Sequence, residues 1–199
     1  MKTQRGISMI EVVVTIAIMG ILMAAAMPSV GDWIRNSKVR NTAESIQNGL
    51  QLARMEAVRL NRPVSFYLVS SLTSSCALSS TSGSWVVSAV SPVGNCDQAV
   101  SATVSPMVVA KGAMLEGGQA TVVATTGVNP ATSVTFNGLG QITTASAATA
   151  IRRISVASAD NTFMRSVEIS LGGVGRMCDP DPNLLAGDSR GCGNTDLKN

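Results

Sequence analysis

The chain has no histidine. That removes the commonest general base, both the Ser-His-Asp and Cys-His catalytic arrangements, and the commonest metal ligand. Charge is scarce as well. Charged residues make up 14% of the 199 positions, against roughly 25% in an ordinary soluble domain, which favours a membrane segment or an uncharged extracellular surface. Aromatics are only 3%, so base-stacking platforms for single-stranded nucleic acid are few. The net charge of +3 is too small to mark a nucleic-acid binder by itself. Short cysteine spacings are missing too. Cys76, Cys96, Cys178 and Cys192 form no C-x-x-C pair, which argues against zinc. No metal and no cofactor is expected, and no catalytic residue is assigned.

Four widely spaced cysteines in Ser/Thr/Gly-rich sequence fit an oxidising compartment. Three pairings are open. Cys76–Cys96 with Cys178–Cys192 is preferred, because each bridge closes a short local loop.

One long apolar run is present. Ile7 to Met27 is interrupted only by Ser8, Glu11 and Thr15. As a helix it would span about 31 Å, near the thickness of bilayer hydrocarbon. Lys2 and Arg5 precede it without an acid between them, which favours a cytoplasmic N-terminus. A cleaved signal peptide could use "AAA" at 24–26 as its cutting site, but Glu11 is out of place in a signal core. A plain signal anchor accounts for the apolar run and leaves Glu11 unexplained. A cut between Gly6 and Ile7 would free an α-amino group near Glu11 at the head of a helix. In a stack of such helices, each carboxylate could neutralise a neighbour's amine, and paired charges in lipid cost less than single ones.

"RGISMIEVVVTIAIMGILMAAAMP" resembles the N-terminus of type IV pilins and type II secretion pseudopilins. Arg5, Gly6, Ile7, Glu11 and Pro28 carry the resemblance. It implies cleavage after Gly6 by a membrane prepilin peptidase, N-methylation of Ile7, and a role for Glu11 in docking the subunit into a filament. It also implies an α+β, type IV pilin-like fold: a long N-terminal helix packed on an antiparallel β domain.

Beyond Pro28, Val39, Ala43, Ile46, Leu50, Ala53, Ala57 and Leu60 recur at steps of three and four, an apolar helix stripe. Three alanines suit packing against a sheet as well as against a helix, and the competing reading of the same stripe is a coiled coil. Asn61-Arg62-Pro63 is the stop, and Pro28 with Gly31 is expected to kink or loosen the helix. "LQLARMEAVRLNRPV" at 50–64 is similar to the helix end of the GspH/FimT/FimU group; its bland alternative is a solvated face of Arg54, Glu56 and Arg59. The organisation expected is a leader at 1–6, a transmembrane and assembly helix at 7–28, an amphipathic half at 29–62, and a globular β domain at 63–199. Strands are predicted at 64–69, 84–90, 107–110, 120–125, 133–137, 151–157 and 166–171. The turn "FNGLGQ" at 136–141 needs left-handed backbone.

"CDPDPN" at 178–183 is a faint echo of a calcium loop, but its two prolines fit a rigid surface loop better. Arg152, Arg153, Arg165, Arg176, Arg190 and Lys198 gather in the C-terminal third. FimT-like relatives implicated in DNA uptake carry Gly-Arg-x-Arg; here Gly175-Arg176-Met177-Cys178 lacks the second arginine. Arg176 is the candidate DNA contact, and the competing reading has it closing the last strand beside the Cys178–Cys192 loop. The resemblance implies a minor pilin at a pilus tip or priming complex. Its partners would be other minor and major pilins, the prepilin peptidase and an inner-membrane assembly platform. Such a protein is a single-pass inner-membrane subunit with a periplasmic domain before assembly, and part of the pilus afterwards. The alternatives are a GspH-type pseudopilin of type II secretion and a pilus-borne DNA receptor.

Overall fold

The computed structural model describes residues 8–114, 120–143, 147–181, 183–184 and 188–193, with backbone alone considered at 24–29. A single helix, α1, runs from Met9 to Leu60, about 78 Å at 1.5 Å per residue. Ser8 caps its start, accepting the Glu11 N–H on its hydroxyl. Asn61 ends it in the left-handed conformation, with φ 48°, and the Arg62 N–H reaches back to the Ala57 carbonyl. This satisfies carbonyls that a helix end leaves open. The helix continues unbroken through Pro28 and Gly31, so the two expected halves form one element.

The apolar stripe is buried: Val39, Ala43, Ile46, Leu50, Ala53 and Ala57 all lie in the main core. It packs against two four-stranded antiparallel sheets. In the first, the order is β3 (Val108–Gly112), β2 (Ser84–Ser88), β1 (Val64–Val69) and β5 (Ser133–Phe136). In the second, it is β4 (Ala120–Thr125), β6 (Arg153–Ser158), β7 (Met164–Ile169) and β8 (Gly175–Cys178). Alternation along the strands turns Val64, Phe66 and Leu68 of β1, and Ile154 and Val156 of β6, toward the helix.

Gly49 shows how closely helix and sheet approach. A Cβ there would lie 2.8 Å from the Phe66 ring and 3.0 Å from Trp85. Those rings stack at 5.7 Å, and the Trp85 indole donates to the Ser45 hydroxyl. A mid-helix glycine costs about 1 kcal/mol in propensity, and here it makes room for the largest side chains of the core.

Each sheet has its outer face covered by a disulfide-closed loop. Cys76–Cys96 joins Val69, Val86 and Val108 in a second apolar cluster. Lys111 clamps that loop by donating to the carbonyls of Cys96, Asp97 and Gln98. Cys178–Cys192 holds the C-terminal loop over the second sheet, where Ser166 and Glu168 are buried.

Seven of the eight strands overlap the predicted runs, with ends shifted by up to two residues. β6 begins at Arg153 and β7 at Met164, because their hairpin is closed by Asp160. Its carboxylate accepts from the Ser158 and Thr162 hydroxyls and the Thr162 N–H. The eighth strand, β8, has no β-branched residue and was not predicted.

Candidate functional site

The expected N-terminal assembly signal is described from Ser8 onward; Gly6 and Ile7, the expected cleavage and methylation positions, lie outside the described residues. Glu11 sits in the first turn of α1, where the helix dipole favours a carboxylate. Its own N–H is held by Ser8, with the hydroxyl 3.3 Å and the carbonyl 3.1 Å away. The side chain is exposed, and among the described residues no cation pairs with it.

Around and beyond Glu11 the helix offers apolar side chains on all sides: Met9, Ile10, Val13, Ile16, Ile18 and Leu22 are all exposed. A helix apolar all round is not stable against water; it must be covered by lipid or by other helices. Among the described residues no helix is long and apolar enough to cross a membrane, and the expected span at 7–27 includes positions outside those described. The side chain of Pro28 is likewise outside them.

At the other end of α1, the helix-end motif divides its three charges. Glu56 and Arg59 form an i,i+3 ion pair with a second contact of 2.9 Å. The Arg59 hydrogen bond holds the Glu56 carboxyl below its usual range, against the opposing effect of burial. Arg54 is not on a solvated face. It is half-buried and donates its Nε–H to the Gly140 carbonyl at 2.9 Å. Gly140 has φ +75°, the left-handed backbone expected of this turn.

Arg176 lies on β8 opposite Glu168 of β7, and Glu168 lies opposite Arg153 of β6. The Glu168 carboxylate, 2% exposed, receives Arg153 at 2.5 and 3.1 Å and Arg176 at 3.5 Å. Arg176 also donates to the carbonyls of Gly191 (2.9 Å) and Ser189 (3.3 Å). It therefore joins the strand to the loop closed by Cys178–Cys192. The other cations of the C-terminal third are engaged too. Arg165 stacks over Phe163 and pairs with Asp179 at 2.8 Å. Arg190 pairs with Asp188, and Arg152, 6% exposed, donates to the Ile169 carbonyl. Lys198 lies outside the described residues. A nucleic-acid surface needs cations free to replace counterions, and the described ones here already have internal partners.

Glu168 has the sulfurs of Cys178 and Cys192 beside it. Those sulfurs are consumed in a disulfide, and a thiolate is the form that binds metal, so this cluster is not a metal site. Asp179 and Asp181, from the loop with the faint calcium echo, accept local hydrogen bonds, Asp179 from the Asp181 N–H and Asp181 from Asn183. Sequence reasoning missed the Arg153–Glu168–Arg176 ladder, because it depends on the pairing of three strands. The one available signal was an acid in an otherwise apolar-polar alternating run at 166–171.

Residues 42–173 match the family described as Type II transport protein GspH, and residues 1–27 match the prokaryotic N-terminal methylation motif. No curated protein matches the chain. Two crystal structures of the type IV minor pilin FimU of Pseudomonas aeruginosa are similar to it at 17% identity. One aligns over 72% of this chain and 88% of that one, with a TM-score of 0.42. The other aligns over 69% and 90%, with a TM-score of 0.43.

Proposed function

Since the chain belongs to the GspH family of pilin-like proteins, we propose that it is a structural minor pilin of a type IV pilus, incorporated at the tip or priming complex. Family and fold are those of structural pilins, which act by assembling with one another. On this reading the prepilin peptidase removes residues 1–6 and methylates Ile7. The 7–28 segment anchors the subunit in the inner membrane, with the 63–199 domain in the periplasm, until an assembly platform passes it into the filament. There α1 packs among the helices of other minor and major pilins.

The observation that carries this reading is Glu11. It is an exposed carboxylate at the head of a helix with apolar side chains on all sides, and no described cation pairs with it. A chain alone in lipid gains nothing from such a group. A chain stacked beside another, whose new α-amine reaches the carboxylate, does. Peptide mass spectrometry of sheared, washed pili tests the reading. It predicts a fragment beginning at N-methylated Ile7. A chain absent from pili and required for secretion would instead be a GspH-type pseudopilin, the second reading. A DNA receptor is disfavoured by the internal partners of Arg176.

A further inference from the structure

A pocket of about 260 Å³ opens where the end of α1 meets the segment leading into β3. It lies roughly 73 Å along the helix from Glu11. Its wall is mainly apolar, with Leu60, Val100, Met107 and Val109 among the lining residues, and three charged side chains reach it: Glu56, Arg59 and Arg62. Two of those charges cancel, because Glu56 and Arg59 pair with each other. Arg62 is left over. Its Nε is buried and, among the described residues, has no hydrogen-bond acceptor. Its Nη1 meets only the Met107 sulfur, at 3.5 Å, which is a weak acceptor.

An unsatisfied buried donor on a cation is costly, and the surrounding backbone is strained as well. Met107 holds φ +57°, a left-handed conformation that an unbranched non-glycine residue adopts only at a cost. A guanidinium with only a sulfur as acceptor among the described residues, a strained residue against it and an apolar recess therefore coincide. The net charge of the three groups is a single positive one, which matches a monoanion. The recess holds roughly half a dozen to eight non-hydrogen atoms, which matches a short apolar stem.

We propose that this pocket binds a carboxylate carried on a short apolar stem, with the carboxylate on Arg62 and the stem against Leu60, Met107 and Val109. Arg62 suits the role because its planar fork pairs with both carboxylate oxygens. The same chemistry is offered by a free short-chain carboxylic acid and by a polypeptide ending in an apolar residue. The site does not depend on the filament reading above.

The test is a titration of the full chain in detergent micelles, with methyl-labelled methionine read by NMR and Met107 assigned by Met107→Leu. Hexanoate is the probe. It should shift the Met107 methyl saturably, with a Kd on the order of 1 mM, a reasonable affinity for so small a ligand. Hexan-1-ol and hexylamine should bind at least about tenfold more weakly, since a charge-assisted bond is lost. Arg62→Met should reduce hexanoate to the level of hexanol. If that variant does not fold, the hexanol and hexylamine comparison in the unaltered chain still decides. Met9, Met19 and Met23 report simple partitioning into the micelle. A Met107 methyl that stays still while those move, or that responds equally to hexanoate and hexanol, overturns the proposal. A tripeptide ending in leucine distinguishes the sources. If it competes with hexanoate and its C-terminal amide does not, the site takes a polypeptide terminus. If neither peptide competes, it takes a free acid.

Discussion

Arg54 donates its Nε–H to the carbonyl of Gly140 at 2.9 Å, and the same carbonyl oxygen lies 2.0 Å from where a Cβ on Gly173 would stand. Gly140 follows β5 of the first sheet, and Gly173 lies between β7 and β8 of the second. The long helix and both sheets therefore meet at one backbone oxygen. Gly173 has φ +78°, so both its conformation and its surroundings exclude a side chain.

Gly173→Ala should destabilise the protein by about 2–4 kcal/mol, the sum of left-handed strain and overpacking. The thermal midpoint would fall by roughly 10 °C for a domain of this size. Gly172→Ala, where the nearest atom would be 3.7 Å away, is the matched control and should change little. Arg54→Met should cost about 1 kcal/mol for the lost hydrogen bond.

Gly49→Ala sets helix propensity against packing. An exposed helical site would gain about 1 kcal/mol from alanine. Here the new methyl meets Phe66 at 2.8 Å, and overpacking of about 1–3 kcal/mol should outweigh the gain. Denaturant unfolding should give a lower midpoint, and a higher one would mean that the aromatic pair yields easily.

Arg176→Ala should loosen the C-terminal loop without touching any DNA function. The expected signs are faster amide exchange at 188–192 and easier reduction of Cys178–Cys192, with no gel shift by either form at low salt. Reducing both bridges should cost about 3 kcal/mol each. A DNA shift that vanished in Arg176→Ala would restore the receptor reading.

Asp160 gives a pH dependence with a definite sign. Hydrogen bonds from the Ser158 hydroxyl, then from Thr162, lower its pKa from 3.8 to about 2. A carboxyl depressed in the folded state contributes stability above its unfolded pKa, and that contribution is lost as pH falls through the folded one. The advantage of the wild type over Asp160→Asn should be full above about pH 4 and shrink toward pH 2. Paired urea titrations at those two values check this. A gap that stayed constant would mean the carboxylate charge contributes nothing to the hairpin.

What the sequence made legible was local. The stripe from Val39 to Ala57 and the β-branched runs carry their own periodicity, so α1 and seven strands could be read from them. β8 reads Gly-Arg-Met-Cys and has no strand signal. It forms because pairing with β7 sets Arg176 opposite Glu168 and because its cysteine is tied to Cys192. The division into two sheets depends on pairings far apart in the chain, such as Val64 with Phe136, which no local pattern encodes. Arg54 illustrates the same limit. Its place on the helix was legible, but its acceptor lies 86 residues away.

The most direct test of the central claim is filament incorporation of Glu11→Val. Membrane insertion and cleavage after Gly6 should be unchanged, since valine suits an apolar helix better than glutamate does. Loss of the carboxylate would leave a neighbour's amine unpaired, and the variant should be processed yet absent from sheared filaments, as read by immunoblot of the membrane and pilus fractions. Incorporation at the wild-type level would contradict the docking role of Glu11, and with it the assembly account.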